Sequence, residues 1–129
     1  MNVFIIGGTG YLGSVIVEHL RTAGHTVTAL ARSDSSAELL SAAGAIPVIG
    51  SLSDTGVLRT AAATADAVIY AASDYAATEE SMREELDAVT AIVNGAGASR
   101  AETPVIYTST GLVYGTIRPT SPKLPTFPA

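Results

Sequence analysis

Apolar residues run without a polar break from Val3 to Ile6, and the run stops at Gly7-Gly8. A short, uninterrupted run of this kind predicts a strand buried on both faces. From Tyr11 to Ala23 the spacing turns helical. Leu12, Val15, Ile16 and Leu20 share one face, and Glu18, His19 and Arg21 fall opposite. Gly24 stands where a helix C-cap belongs. Val27 to Ala31 predicts a second strand. A helix capped by Ser35 or Ser36 then runs through Leu39 and Leu40 to about Ala43, with Gly44 ending it.

The alternation continues. Ile46 to Ile49 predicts a third strand, Asp54 caps a helix reaching roughly Ala63, and Ala67 to Ala71 predicts a fourth strand. Thr78 opens the longest helix, with Glu79 and Glu80 at its positive dipole end. Its apolar stripe is Met82, Leu86, Val89 and Ile92 or Val93, and Gly95 and Gly97 end it. Val105 to Thr108 predicts a fifth strand. Strands alternating with helices in this way predict an α/β, three-layer Rossmann fold with helices on both faces of a parallel sheet. Right-handed crossovers give the strand order 3-2-1-4-5.

Gly7, Gly10 and Gly13 form a G-x-x-G-x-x-G pattern between the first strand and the first helix. Gly7 allows the tight turn, Gly10 leaves room for a pyrophosphate, and Gly13 lets the helix approach the strand. The helix then points free N–H groups and its positive end at the phosphates. About twenty residues further on, an acidic residue would hold a ribose hydroxyl and a basic one a 2'-phosphate. Arg32 stands there, followed by Ser33, and Asp34 comes two residues later. Arginine offers bidentate, charge-assisted hydrogen bonds to phosphate, so NADP(H) is the expected cofactor, with NAD(H) as the alternative.

Composition narrows the classes further. The chain has 129 residues, 47% of them apolar and 5% aromatic, which suits one domain with a core of small aliphatic side chains. Seven basic residues against twelve acidic ones, a net charge of -5, leave no basic face for nucleic acid. With no cysteine, disulfide, zinc-finger and thiol chemistry are excluded. The first apolar run is too short for a signal-peptide core or a membrane span, so a cytoplasmic location and no membrane partner are expected. Pro119, Pro122, Pro125 and Pro128 recur at every third residue, which reads as a surface loop.

From Met1 to about Gly115 the chain resembles the extended short-chain dehydrogenase/reductases, the NAD(P)-dependent epimerase/dehydratase group. The turn Gly7-Gly8-Thr9-Gly10-Tyr11-Leu12-Gly13 is close to that family's glycine motif. Gly50-Ser51-Leu52-Ser53-Asp54 is similar to its G-D-L-x-D segment, with Ser51 where an acidic residue usually meets the adenine amino group and Leu52 where the adenine ring is flanked. Asp66 to Ala72 resembles its D-x-V-I-H-x-A strand, which implies that Ala71 and Ala72 line the cofactor's path. Tyr107 to Gly115 resembles S-S-x-x-V-Y-G, placing the family's catalytic hydroxyl on Thr110, with Ser109 as the alternate.

The same resemblance implies a Tyr-x-x-x-Lys base. None of the five tyrosines has lysine four residues on, and Lys123 is the only lysine. The expectation is therefore a cofactor-binding domain over 1–115 and a proline-rich loop over 116–129 leading to a substrate-binding part not contained in these residues. The 129 residues alone are expected to be inactive. As part of a longer protein they imply an oxidoreductase or epimerase/dehydratase acting on a small carbonyl, sugar-nucleotide or steroid-like substrate. The alternative is a non-catalytic, NADP-binding redox sensor of the nitrogen-regulator-like group. A homodimer through the 78–95 helix is a further expectation from the resemblance. No metal site is expected.

Overall fold

Alternate residues of each strand point to opposite faces, so a sheet covered on both sides must be apolar throughout. The central strands obey this, with Val3–Ile6 and Ala67, Val68 and Tyr70 buried. The computed structural model describes residues 1–72, 78–98 and 103–108. It contains the strands β1 (Asn2–Ile6), β2 (Thr26–Ala31), β3 (Ile46–Ile49), β4 (Ala67–Tyr70) and β5 (Val105–Tyr107). All pair in parallel, in the order β3-β2-β1-β4-β5. That is the order expected from the sequence. The intervening helices are α1 (Tyr11–Thr22), α2 (Asp34–Ala42), α3 (Thr55–Thr64) and α4 (Glu79–Gly97).

Phe4, Ile6, Leu30, Val68 and Tyr70 face α3 and α4, where they meet Leu58, Ala62, Ala88, Ala91 and Ile92. Ile5, Val27, Ala29, Ala31 and Ala71 face the other way and meet Val17 of α1 and Leu40 of α2. At the lower edge Asp66 ties two strands together. Its carboxylate accepts the Asn2 N–H at 2.6 Å, and its own N–H donates to the Asn2 carbonyl at 2.7 Å.

Two helices turn part of their expected apolar stripe away from the core, while Ile16 and Leu20 of α1 and Val89 and Ile92 of α4 pack inward as expected. In α1, Gly13 and Val17 are buried, while Leu12 and Val15 are about half exposed. Gly13 rests on the backbone of the glycine turn, and this contact rotates Leu12 and Val15 off the core. In α4, Ala88, Ala91, Ile92, Gly95 and Ala96 are buried, and Met82, Leu86 and Val93 are exposed. The helix also continues through Gly95 instead of ending there. A β-carbon at Gly95 would fall on the Arg59 carbonyl oxygen of α3, so this glycine sets how closely the two helices pack. Small residues are selected at such a contact, and the larger apolar ones are turned outward.

The helix ends show local corrections of the same kind. Ser33, not Ser35 or Ser36, caps α2, its oxygen accepting the Ser36 N–H at 3.2 Å. Asp54 precedes α3, but its carboxylate turns back to accept the Ser51 N–H at 2.8 Å. Thr78 and Ser81 form a reciprocal capping box at the start of α4.

Gly95→Ala is expected to lower stability by about 1–3 kcal/mol through overpacking against Arg59. Gly97→Ala, with open space around its β-carbon, should leave stability level or raise it by up to about 1 kcal/mol. Chemical denaturation of the two variants beside the parent chain checks the contrast.

Candidate functional site

The site is built from the turn that joins β1 to α1. Gly7 has a φ of 89°, in the left-handed region, and a β-carbon there would lie 2.6 Å from the Ala72 nitrogen. Only glycine accepts both conditions. A β-carbon on Gly13 would fall on the Gly7 carbonyl oxygen, so the helix can start this close to the strand only with glycine at that position. The Gly10 N–H donates to the Gly7 carbonyl at 3.1 Å and closes the turn.

The consequence is electrostatic. Helix α1 begins at Tyr11, and the Ser14 N–H donates to the Gly10 carbonyl at 2.9 Å to close its first turn. The amides of Tyr11, Leu12 and Gly13 have no acceptor within the helix. Gly10 offers no side-chain cap, and the first turn of α1 carries no acidic residue. By contrast α2 has Asp34 in its first turn and α4 has Glu79 and Glu80. The positive end of α1 is thus left uncompensated where an anion can reach it.

In front of this turn lies a cavity of about 460 Å³, within the range of small-molecule and cofactor sites. Of the residues expected from the sequence, Gly7, Thr9, Gly10, Arg32, Leu52, Ala71 and Ala72 line it. Tyr11, Leu12 and Gly13, in the first turn of α1, are not among its lining residues. Arg32 is exposed at the end of β2 and makes no ion pair or hydrogen bond among the described residues. A helix N-terminus and a free guanidinium thus share one cavity, an arrangement that suits anionic groups.

Two expected ligands are not brought into the cavity. Ser33 spends its oxygen on the α2 cap and lies 3.0 Å from the hydroxyls of both Ser35 and Ser36. Ser36, one helical turn along, lines the cavity in its place. Ser51 is held by Asp54: its N–H donates at 2.8 Å, its hydroxyl at 3.3 Å, and that hydroxyl is also 2.7 Å from Ser53. Thr110, Ser109 and the loop over 116–129 lie outside the described residues.

The sequence reading also missed the wall supplied by α4. Ser81, Glu84 and Glu85 line the cavity, although the acidic cluster reads as a solvated face when taken by itself. The signal that could have found them is Tyr70, a polar ring inside an apolar strand. Tyr70 is 2% exposed and stacks on Tyr107 of the neighbouring strand, with ring centroids 5.2 Å apart and planes at 18°. The Tyr107 hydroxyl donates to Glu85 Oε1 at 2.6 Å. Burial, and then the charge of Glu85, the Tyr107 phenol and Glu84, push the Tyr70 phenol well above its ordinary value of 10.0. The hydrogen bond to Glu85 raises Tyr107, with burial and the Glu85 charge adding to it.

A family model described as the NAD dependent epimerase/dehydratase family matches residues 3–128. The chain belongs to that family. Among curated relatives, it is 38% identical over 111 residues to an uncharacterized protein of Schizosaccharomyces pombe, covering 84% of this chain and 37% of that one. It is 43% identical over 83 residues to the sterol-4-alpha-carboxylate 3-dehydrogenase, decarboxylating, of Dictyostelium discoideum, covering 64% of this chain and 25% of that one. Among solved structures it is similar to AtPrR2 with NADP+ and (+)pinoresinol, at 31% identity and a TM-score of 0.61, covering 77% of this chain and 34% of that one. The chain thus spans well under half the length of these relatives. Among the described residues, no helix is long and apolar enough to cross a membrane.

Both phenols are stabilised in their neutral form by folding. Their contribution to stability is whole below pH 10.0 and is lost as pH rises through the raised folded values. Tyrosinate absorbance followed on titration should show Tyr70→Phe removing only signal that develops above pH 10.0. Loss of signal at lower pH in that variant would contradict the assignment.

Proposed function

We propose that this chain is the cofactor-binding part of an NADP(H)-dependent oxidoreductase or epimerase/dehydratase. The observation that carries this is the pairing, on one cavity, of the uncompensated α1 N-terminus with the free Arg32 guanidinium. The amides after Gly10 hold the pyrophosphate, Arg32 and Ser36 take the 2'-phosphate, and Ala71 and Ala72 let the cofactor pass close to the backbone. Arginine at this place favours NADP(H) over NAD(H). When bound, the nicotinamide supplies a hydride donor or acceptor for a small carbonyl or carbinol substrate. A sterol 3-dehydrogenase in the name of one relative fits that class, and NADP+ is bound in the structure of another similar protein.

In this reading residues 1–115 are the cofactor-binding domain, and 116–129 lead toward a substrate-binding part. Thr110, or Ser109 one residue earlier, hydrogen-bonds the reacting oxygen of the substrate. Pairing of two copies along α4 belongs to the same proposal, supported by the exposed Met82, Leu86 and Val93.

A second reading, a non-catalytic NADP-binding redox sensor, shares the glycine turn over Gly7–Gly13. Both readings require the same cofactor site. Turnover of NADPH with a carbonyl substrate by the longer protein separates them.

Arg32→Ala is expected to weaken NADP+ by about tenfold or more, the scale of a charge-assisted hydrogen bond, while leaving NAD+ nearly unchanged. Isothermal titration of both cofactors against both proteins reads this directly. Equal loss for the two cofactors would place Arg32 away from the 2'-phosphate.

A further inference from the structure

The cavity continues past Arg32 and Leu52 to a wall made by β4 and α4, and two polar side chains on this wall have no partners of their own among the described residues. Tyr70 is almost wholly buried, yet its hydroxyl has no hydrogen-bond partner among the described residues and the side chain lines the cavity. Glu84 lines the same cavity, with its carboxylate equally uncommitted. Glu85 differs, because its Oε1 already accepts the Tyr107 hydroxyl. Tyr70 and Glu84 line the same cavity, and burial, followed by the charges of Glu85, Tyr107 and Glu84, raises the Tyr70 phenol above its ordinary value. Tyr70 offers a donor there and Glu84 an acceptor.

A donor beside an acceptor is a recognisable pattern. Adenine shows its complement: the exocyclic amine donates, and a ring nitrogen next to it accepts. The apolar parts of the wall suit a purine as well. Leu52 and Ala72 both pack against the α3–α4 side of the core and both line the cavity. The Ser51 side chain, turned to Asp54, does not line the cavity.

We propose that Tyr70 and Glu84 together read the adenine edge of the cofactor, Glu84 accepting from the exocyclic amine and Tyr70 donating to the adjacent ring nitrogen. The assignment rests on the cofactor reading above and deepens it. It makes α4 part of the nucleotide site, and it moves base recognition from the loop after β3 to the opposite wall. A site that holds a hydrogen-bonding group in this way rejects the analogue lacking it, because the buried partners are then left unpaired.

The test compares NADP+ with nicotinamide hypoxanthine dinucleotide phosphate, in which an oxygen replaces the amine and the ring nitrogen carries a proton. Both donor and acceptor are then reversed. Binding of each is measured by calorimetry to the parent chain, Tyr70→Phe and Glu84→Ala. The parent should prefer NADP+ by about tenfold or more. Each variant should shrink that preference to a few-fold, chiefly by weakening NADP+. Tyr70→Phe keeps the ring that stacks on Tyr107, and Glu84 is exposed, so both chains should melt with the parent. Equal binding of the two dinucleotides by the parent, or full preference kept in both variants, overturns the assignment while leaving the cofactor reading in place. Failure of the parent to bind either dinucleotide overturns the cofactor reading itself.

Discussion

The start of helix α1 rests directly on the backbone of the turn that precedes it. A β-carbon on Gly13 would occupy the place of the Gly7 carbonyl oxygen, and one on Gly7 would press on Ala71 and Ala72 at the end of β4. Two glycines thus bring a helix N-terminus, a turn and the tip of a neighbouring strand into mutual contact. Gly10, at the head of the helix, brings no side-chain cap, and it lines the cavity with Gly7 and Thr9. The same contact decides which side of α1 meets the sheet, and hence why Leu12 and Val15 lie outside the core. Fold and site share one constraint here.

The cavity that results is divided in charge. Near the turn it offers amides and Arg32, which suit phosphates. At the far wall it offers Glu84, Glu85 and a phenol held neutral by its surroundings, which suit a base carrying an amine. A dinucleotide has this polarity along its adenosine half. The Tyr70–Tyr107 stack and the Tyr107–Glu85 hydrogen bond tie β4, β5 and α4 together. The far wall is therefore held by the same sheet that carries the turn.

Much of the fold was legible in the sequence because a buried parallel sheet demands uninterrupted apolar strands, and glycine and serine mark the joints. The strand order followed from handedness. What the sequence withheld is which of two apolar faces a helix presents. Periodicity locates apolar positions in α4 but is silent on Gly95, whose contact with Arg59 turns Ala88 and Ala91 inward and Met82 and Leu86 outward. Within the site, Gly7, Gly10, Arg32, Leu52, Ala71 and Ala72 were legible from spacing and motif. Ser33 and Ser51 were read by type and place, but their hydroxyls are taken up by local partners. Ser36 and Glu84 were hidden because a serine near a helix start and a glutamate on an acidic face have ordinary explanations until the cavity is seen.

Amide hydrogen exchange with and without NADP+ tests the central claim most directly, since it reads both the event and its place. The account predicts slowed exchange in the turn and first helical residues over 7–13, at the end of β2 and start of α2 over 30–36, and at 70–72. Exchange at α1's distal end and on the outer face of α3 should be unchanged. Saturating NADP+ with no slowing at 7–13, or slowing confined to other elements, would contradict the glycine turn as the cofactor site.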